Sequence, residues 1–166
     1  LLAKVALAGL VFGLVGAVFS ELTHLVRSTM ARRLGWSPLR PVVGGLAIVG
    51  LALLCGHDYL GLSLPLIDRS LAGDQLSFAV FALKLLFTAI TLGSGFPGGE
   101  VTPLFVIGST LGASLGTPLH VDIALLAAVG FVAVFAGAAN TPLACTIMGV
   151  ELFGPGAILP PAVGCV

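Results

Sequence analysis

"LGSGFPGGEVTPLFVIGSTLGASLG", residues 92–116, places one carboxylate, Glu100, among glycines and prolines directly before a long stretch without charge. Pro97 has no amide hydrogen and the glycines beside it accept open backbone conformations, so a helix arriving from the N-terminal side stops here. Pro103 suits the first turn of a new helix, where a missing donor costs nothing. A second helix is therefore predicted to begin around Val101 to Pro103. Its first amides have no intrahelical partners and form the positive end of the helix dipole, an arrangement that suits an anion. Glu100 is itself an anion at that position. It either caps the helix or takes up a proton whose loss sets its charge against a mobile anion, and intramembrane carboxylates are costly enough to be functional as a rule. Thr102 adds a hydroxyl able to donate to an anion or to the Glu100 carboxylate.

The surroundings of this stretch are made for lipid. Hydrophobic residues make up 58% of the 166 and charged residues only 8%, against about 25% in soluble domains, so the chain cannot cover a water-soluble globule. Seven basic and seven acidic residues cancel, which leaves no clustered positive charge for nucleic acid. Cys55, Cys145 and Cys165 lie far apart in apolar runs and read as small buried hydrophobes rather than metal ligands or a disulfide framework. The chain opens at Leu1 and closes at Val166 inside apolar segments, so a part of a longer protein is expected. Leu1 to Ser20 lacks the basic flank and cleavage site of a signal peptide.

Along the chain, a first span is expected from Leu1 to Val26, long enough to cross a bilayer, with small residues Gly9, Gly13 and Gly16 that admit a close neighbour. "RSTMARRLGWSPLR", residues 27–40, reads as a basic cytoplasmic loop with Trp36 at headgroup level. A second, short span should follow Pro41 and run to about Cys55. Residues 56–75 read as an interfacial loop with a short or partly inserted helix. Ser77 to Leu92 is a helix whose only charge is Lys84, and Gly108, Gly112 and Gly116 form a small-residue stripe on the helix after Glu100. Ile123 to Val150 carries no charge and breaks at "GAANTP", residues 137–142. Short hydrophobic segments interrupted by Gly and Pro suit an ion transporter, since irregular backbone at membrane depth survives only beside protein or a wet cavity.

The segment Gly98-Gly99-Glu100-Val101-Thr102-Pro103 resembles the GGxFxP filter of the CLC chloride channels and anion/proton antiporters. The later "FAGAANTPLACTIMGVELFG" resembles a helix of the same family, with Glu151 at its acidic position, and the resemblance covers nearly the whole chain. Two positions depart from the common pattern: Val101 stands where a phenylalanine is usual, and Glu100 where an apolar residue is usual. In this form "GGEVTPLF" resembles the fluoride-exporting bacterial branch. The resemblance implies an all-α, polytopic transmembrane fold with tilted and broken helices, the second half of an inverted repeat, residues 1–166 being the C-terminal part of the transport domain. It implies an anion pathway at Gly99, Glu100, Val101 and Thr102, proton coupling through Glu100, and a homodimer in the inner membrane that handles fluoride and protons. A chloride channel or chloride/proton antiporter is the alternative. Neither a cofactor nor a metal is implied. The gating glutamate of the first half and the tyrosine of the final helix match nothing in these residues, and Tyr59, in the polar loop, is not that tyrosine. Alone, the segment is not expected to transport.

Other polar residues have plainer readings. Glu151 is expected as a structural carboxylate in a buried helix, Lys84 as a snorkelling or carboxylate-paired side chain, and His24 beside Glu21 as interfacial scaffolding. His57 and Asp58 make too small a set for a metal. Asn140 and Thr141 read as the N-cap before Pro142. By the resemblance, the Gly9/Gly13 stripe lies near a subunit contact. A membrane enzyme with Glu100 as general base would need a second group, and Ser94 is the only neighbour, with no base to activate it.

Overall fold

The computed structural model describes residues 2–154 and 159–165. These fold into helices throughout: α1 (Leu2–Arg33), α2 (Leu39–Cys55), α3 (Leu64–Leu71), α4 (Phe78–Gly93), α5 (Val101–Leu119), α6 (Ile123–Ala139), α7 (Pro142–Phe153) and α8 (Leu159–Cys165). Among the described residues only α1 is long and apolar enough by itself to span a bilayer, while α2, α4, α6 and α7 are apolar but shorter.

Local chemistry sets most boundaries where the sequence put them. Ser77 caps α4, its hydroxyl accepting from the Ala79 amide at 3.3 Å. Asp122 caps α6 by accepting from the Leu125 amide at 2.8 Å. Three boundaries differ. No helix breaker stands between Val26 and Arg33, so α1 continues through the expected basic loop and carries Arg27, Arg32 and Arg33 on its final turns. Helix α2 starts at Leu39, with Pro41 tolerated in its first turn. Asn140 adopts the left-handed conformation (φ 55°) and closes α6, leaving Thr141 as the residue before α7 without a side-chain cap; the two are not one N-cap, because asparagine tolerates that conformation and terminates helices. Residues 155–158, between α7 and α8, lie outside the described residues.

Helix α5 is the centre. Its residues Leu104, Ile107 and Leu111 pack with Phe12 of α1 and with Leu126, Val129 and Val134 of α6 in the main core. The stripe predicted on α5 faces α6: a methyl group on Gly108 would collide with the Gly130 carbonyl, and one on Gly112 with the Leu126 carbonyl. The two backbones touch, and no side chain larger than hydrogen fits between them. Glycines of α1 do the same within the chain. A methyl group on Gly9 would come within 3.2 Å of the Gly164 backbone of α8, and one on Gly16 within 2.9 Å of the Ala138 amide nitrogen at the end of α6, so both glycines permit close packing within the chain.

The buried hydroxyls of α4 and α5 are satisfied by their own helices. Thr110 donates to the Val106 carbonyl at 2.7 Å, Ser114 to Thr110 at 2.8 Å and Thr88 to Lys84 at 2.8 Å, the pattern open to Ser and Thr in a medium without water. Cys145 is buried, Cys55 and Cys165 are half-buried, and all three are free thiols. Large apolar side chains remain outward on α1 and α2, among them Leu10, Leu14, Leu46, Leu53 and Leu54.

Gly112→Ala should lower the thermal midpoint of the full-length protein in detergent, since the added methyl meets backbone and overpacking costs about 1–3 kcal/mol. Gly50→Ala, where a methyl would meet nothing within 4 Å, should leave the midpoint unchanged or raise it.

Candidate functional site

The site is built where α4 ends. Gly93, its last residue, lies flush against α1: a methyl there would come within 2.6 Å of the Val26 side chain and 3.2 Å of the Arg27 amide nitrogen. Ser94 follows, fully buried, with its hydroxyl donated to the Ile90 carbonyl at 2.6 Å and its side chain against Gly44 of α2. That hydroxyl is thus committed to its own helix and is no partner for a general base. Gly95, with φ 89°, then turns the chain through a conformation that favours glycine. Residues 96–99 run irregularly to Glu100, and α5 starts at Val101.

The first intrahelical bond of α5 runs from the Leu104 amide to the Glu100 carbonyl at 3.1 Å. Pro103 has no amide hydrogen, so the amides of Val101 and Thr102 are the free donors of this helix end. Glu100 occupies the cap position with near-helical backbone angles (φ −90°, ψ −16°), and its side chain makes no capping hydrogen bond. The capping reading therefore does not hold. Gly99, Glu100 and Val101 are exposed and Thr102 is half-buried. The structure brings these four together at one helix end, with the next turns of α5 buried behind them.

Two clefts meet at Glu100. One, of about 280 Å³, is lined by Ser20, Thr23, His24, Arg27 and Glu100; the other, of about 370 Å³, by Thr23, Arg27, Phe96, Gly98 and Glu100. Arg27 thus shares both clefts with Glu100, yet the single ion pair among the described residues joins Arg69 to Asp74 at 3.3 Å. Both groups remain available to something else. The Thr23 hydroxyl is buried without a hydrogen-bond partner among the described residues.

Behind the same loop, a cleft of about 160 Å³ is lined by Lys84, Thr88, Thr91, Gly98, Gly99 and Pro103. Lys84 neither snorkels nor pairs with a carboxylate. It is 2% exposed and donates to the Tyr59 carbonyl at 3.1 Å, the Gly61 carbonyl at 2.7 Å and the Ser63 hydroxyl at 2.9 Å. Tyr59 contributes through its backbone, its ring stacked on Phe87 with centroids 5.8 Å apart.

Other candidates fall away from the site. Glu151 is exposed on α7, contrary to the expected buried carboxylate, because that face of the short helix meets no neighbour among the described residues. His57 and Asp58 are exposed in the turn after α2. His24, by contrast, lines the smaller of the two Glu100 clefts, where the sequence suggested scaffolding. Arg27 and Thr23 were not legible as site residues, since only the close approach at Gly93 brings α1 to the loop. Lys84 did carry a signal, the lone charge of an apolar helix.

The model of the voltage gated chloride channel family matches residues 1–166. A protein named chloride/fluoride channel protein, from Pseudomonas syringae pv. tomato, is 46% identical over 169 residues, covering 98% of this chain and 37% of that protein. The H(+)/Cl(-) exchange transporter ClcA of Yersinia pestis is 29% identical over 160 residues, 88% of this chain and 33% of the relative. The crystal structure of a CLC-type fluoride/proton antiporter superposes with a TM-score of 0.95 at 37% identity, covering 99% of this chain and 42% of that one. The chain thus spans well under half the length of each of these relatives. With a family model matched end to end, and a membrane transporter fold in which an uncapped carboxylate stands at the start of a buried helix, the chain belongs to the voltage-gated chloride channel (CLC) family.

Proposed function

We propose that this chain forms part of the ion pathway of a fluoride/proton antiporter that exports fluoride across a bacterial inner membrane as a homodimer. The observation that carries this reading is the Glu100 carboxylate, free of capping bonds at the N-terminus of α5, beside the unpaired amides of Val101 and Thr102. The similarity to a chloride/fluoride channel protein and to a fluoride/proton antiporter supports the choice of fluoride.

The chemistry follows from the donors. Fluoride is small and strongly hydrated, so an entry point must replace water with concentrated hydrogen-bond donors. The amides of Val101 and Thr102 and the Thr102 hydroxyl are three such donors, aligned with the positive end of α5. Protonated, Glu100 adds a fourth donor. Ionised, it occupies the same field and repels the anion. One proton therefore decides between carboxylate and fluoride, which couples the two movements through charge alone. Chloride, larger and less strongly hydrated, gains less from such donors. Similarity to an H(+)/Cl(-) exchange transporter keeps chloride exchange as the second reading.

Release of fluoride and chloride from liposomes holding the full-length protein, read with two electrodes in parallel, decides between them. Fast fluoride and slow chloride release is the expected result; the reverse would establish the chloride reading. Glu100→Gln should cut proton movement per fluoride at least about tenfold while anion movement persists, and unchanged coupling would remove Glu100 from the mechanism. Thr102→Val should reduce preference for fluoride over chloride by about tenfold, the worth of one charge-assisted hydrogen bond, with protein yield unaltered. Val101→Phe should slow fluoride release if that side chain lines the path, and a rate equal to the parent's would place it outside.

A further inference from the structure

Lys84 is the only charge in α4 and stands near the middle of that helix. An ammonium has three N–H donors, and all three are committed to the turn between α2 and α3: the carbonyls of Tyr59 and Gly61 and the hydroxyl of Ser63. Ser63, held in the left-handed region at φ 54°, passes the bond on by donating to the Asp58 carbonyl at 2.8 Å. These neutral acceptors satisfy the donors and fix the ammonium in place, but they leave its charge uncancelled. Among the described residues no carboxylate pairs with it. A buried unit charge with no opposite partner is among the costliest groups a membrane protein can hold. Lys84 lines the 160 Å³ cleft together with Gly98, Gly99 and Pro103, residues of the turn that carries Glu100.

We infer that Lys84 is the fixed countercharge of the anion pathway, its positive charge balanced in turn by the anion at the start of α5 and by ionised Glu100. The inference rests on the anion-transport reading above and extends it to a residue outside the filter segment. With all three donors occupied, Lys84 acts through its field and does not touch the anion. Its tether to residues 59–63 holds that field constant while the charges in front of it exchange. The same field favours both occupants, so it deepens the site without choosing between them. The choice stays with the proton on Glu100.

The test is the dependence of the initial fluoride release rate on internal fluoride concentration, for the full-length protein in liposomes. Lys84→Gln keeps two N–H donors and removes the charge. It should raise the half-saturating fluoride concentration at least about tenfold, the order expected for one unit charge several ångström away at an effective dielectric near 20. Lys84→Arg keeps the charge and should stay within about threefold of the parent. A Lys84→Gln protein with the parent's half-saturation, whatever its thermal midpoint, would overturn the inference. So would a Lys84→Arg protein as impaired as Lys84→Gln. If Lys84→Gln does not fold, Lys84→Cys in a background without native cysteines gives the same comparison after folding. Aminoethyl methanethiosulfonate, which adds an ammonium, should restore fluoride affinity and the neutral ethyl reagent should not; equal results with both would reject the charge. Should the unmodified parent move neither fluoride nor chloride, the transport reading itself falls, whatever the Lys84 variants do.

Discussion

The contact between α5 and α6 governs the rest of the structure. At Gly108 and Gly112 the α5 backbone rests on the carbonyls of Gly130 and Leu126, so the helix is held by main chain against main chain. In lipid, where apolar side chains gain little by leaving one apolar environment for another, such close packing is what holds helices together. It fixes the axis of α5, and with it the point in the molecule where the first two amides of that helix are left open. A helix end at depth is tolerable only if something satisfies it or if its exposure serves a purpose.

The second constraint lies at the other end of the loop. Gly93 lets α4 finish against Val26 and Arg27 of α1, and the buried Ser94 locks the next residue to α4 and α2. Residues 95–100 therefore span two fixed points, and the route between them needs a glycine at φ 89°. The irregular segment is held from both sides by rigid helices. It places Glu100 across open clefts from Arg27 and the glycines at 98 and 99 in front of Lys84. An exposed arginine shares its clefts with the carboxylate without pairing with it, and a buried lysine shares a cleft with the glycines just before it.

Much of this was legible in the residues. The break at "GSGFPGGEVTP", the start of α5, the lipid-adapted composition and the family resemblance all rest on local signals: proline without a donor, glycine without a side chain, and too few charges to face water. The structure adds caps of the same short-range kind, Ser77 on α4 and Asp122 on α6, which the sequence reading had not singled out. The wrong expectations were of two kinds. Where a boundary depended on the absence of a breaker, as between Val26 and Arg33, charge suggested a loop and the backbone simply continued as helix. Where a polar residue had more than one available partner, as with Lys84 and Glu151, sequence could not say which was within reach.

Local residue chemistry is enough to make the chain helical and lipid-adapted, to stop one helix before Glu100 and start another after it, and to open the new helix with unpaired amides. These are properties of single residues and their immediate neighbours, carried by steric and hydrogen-bonding rules that act over a few positions. What surrounds Glu100 is set by the packing of distant helices. That Arg27, more than seventy positions earlier, shares its clefts, and that Lys84 spends its three donors on a turn more than twenty residues away, depend on how glycine contacts set the distances between helices. A hydrogen bond or a Coulomb term is fixed by separation in space, and no local pattern encodes that separation.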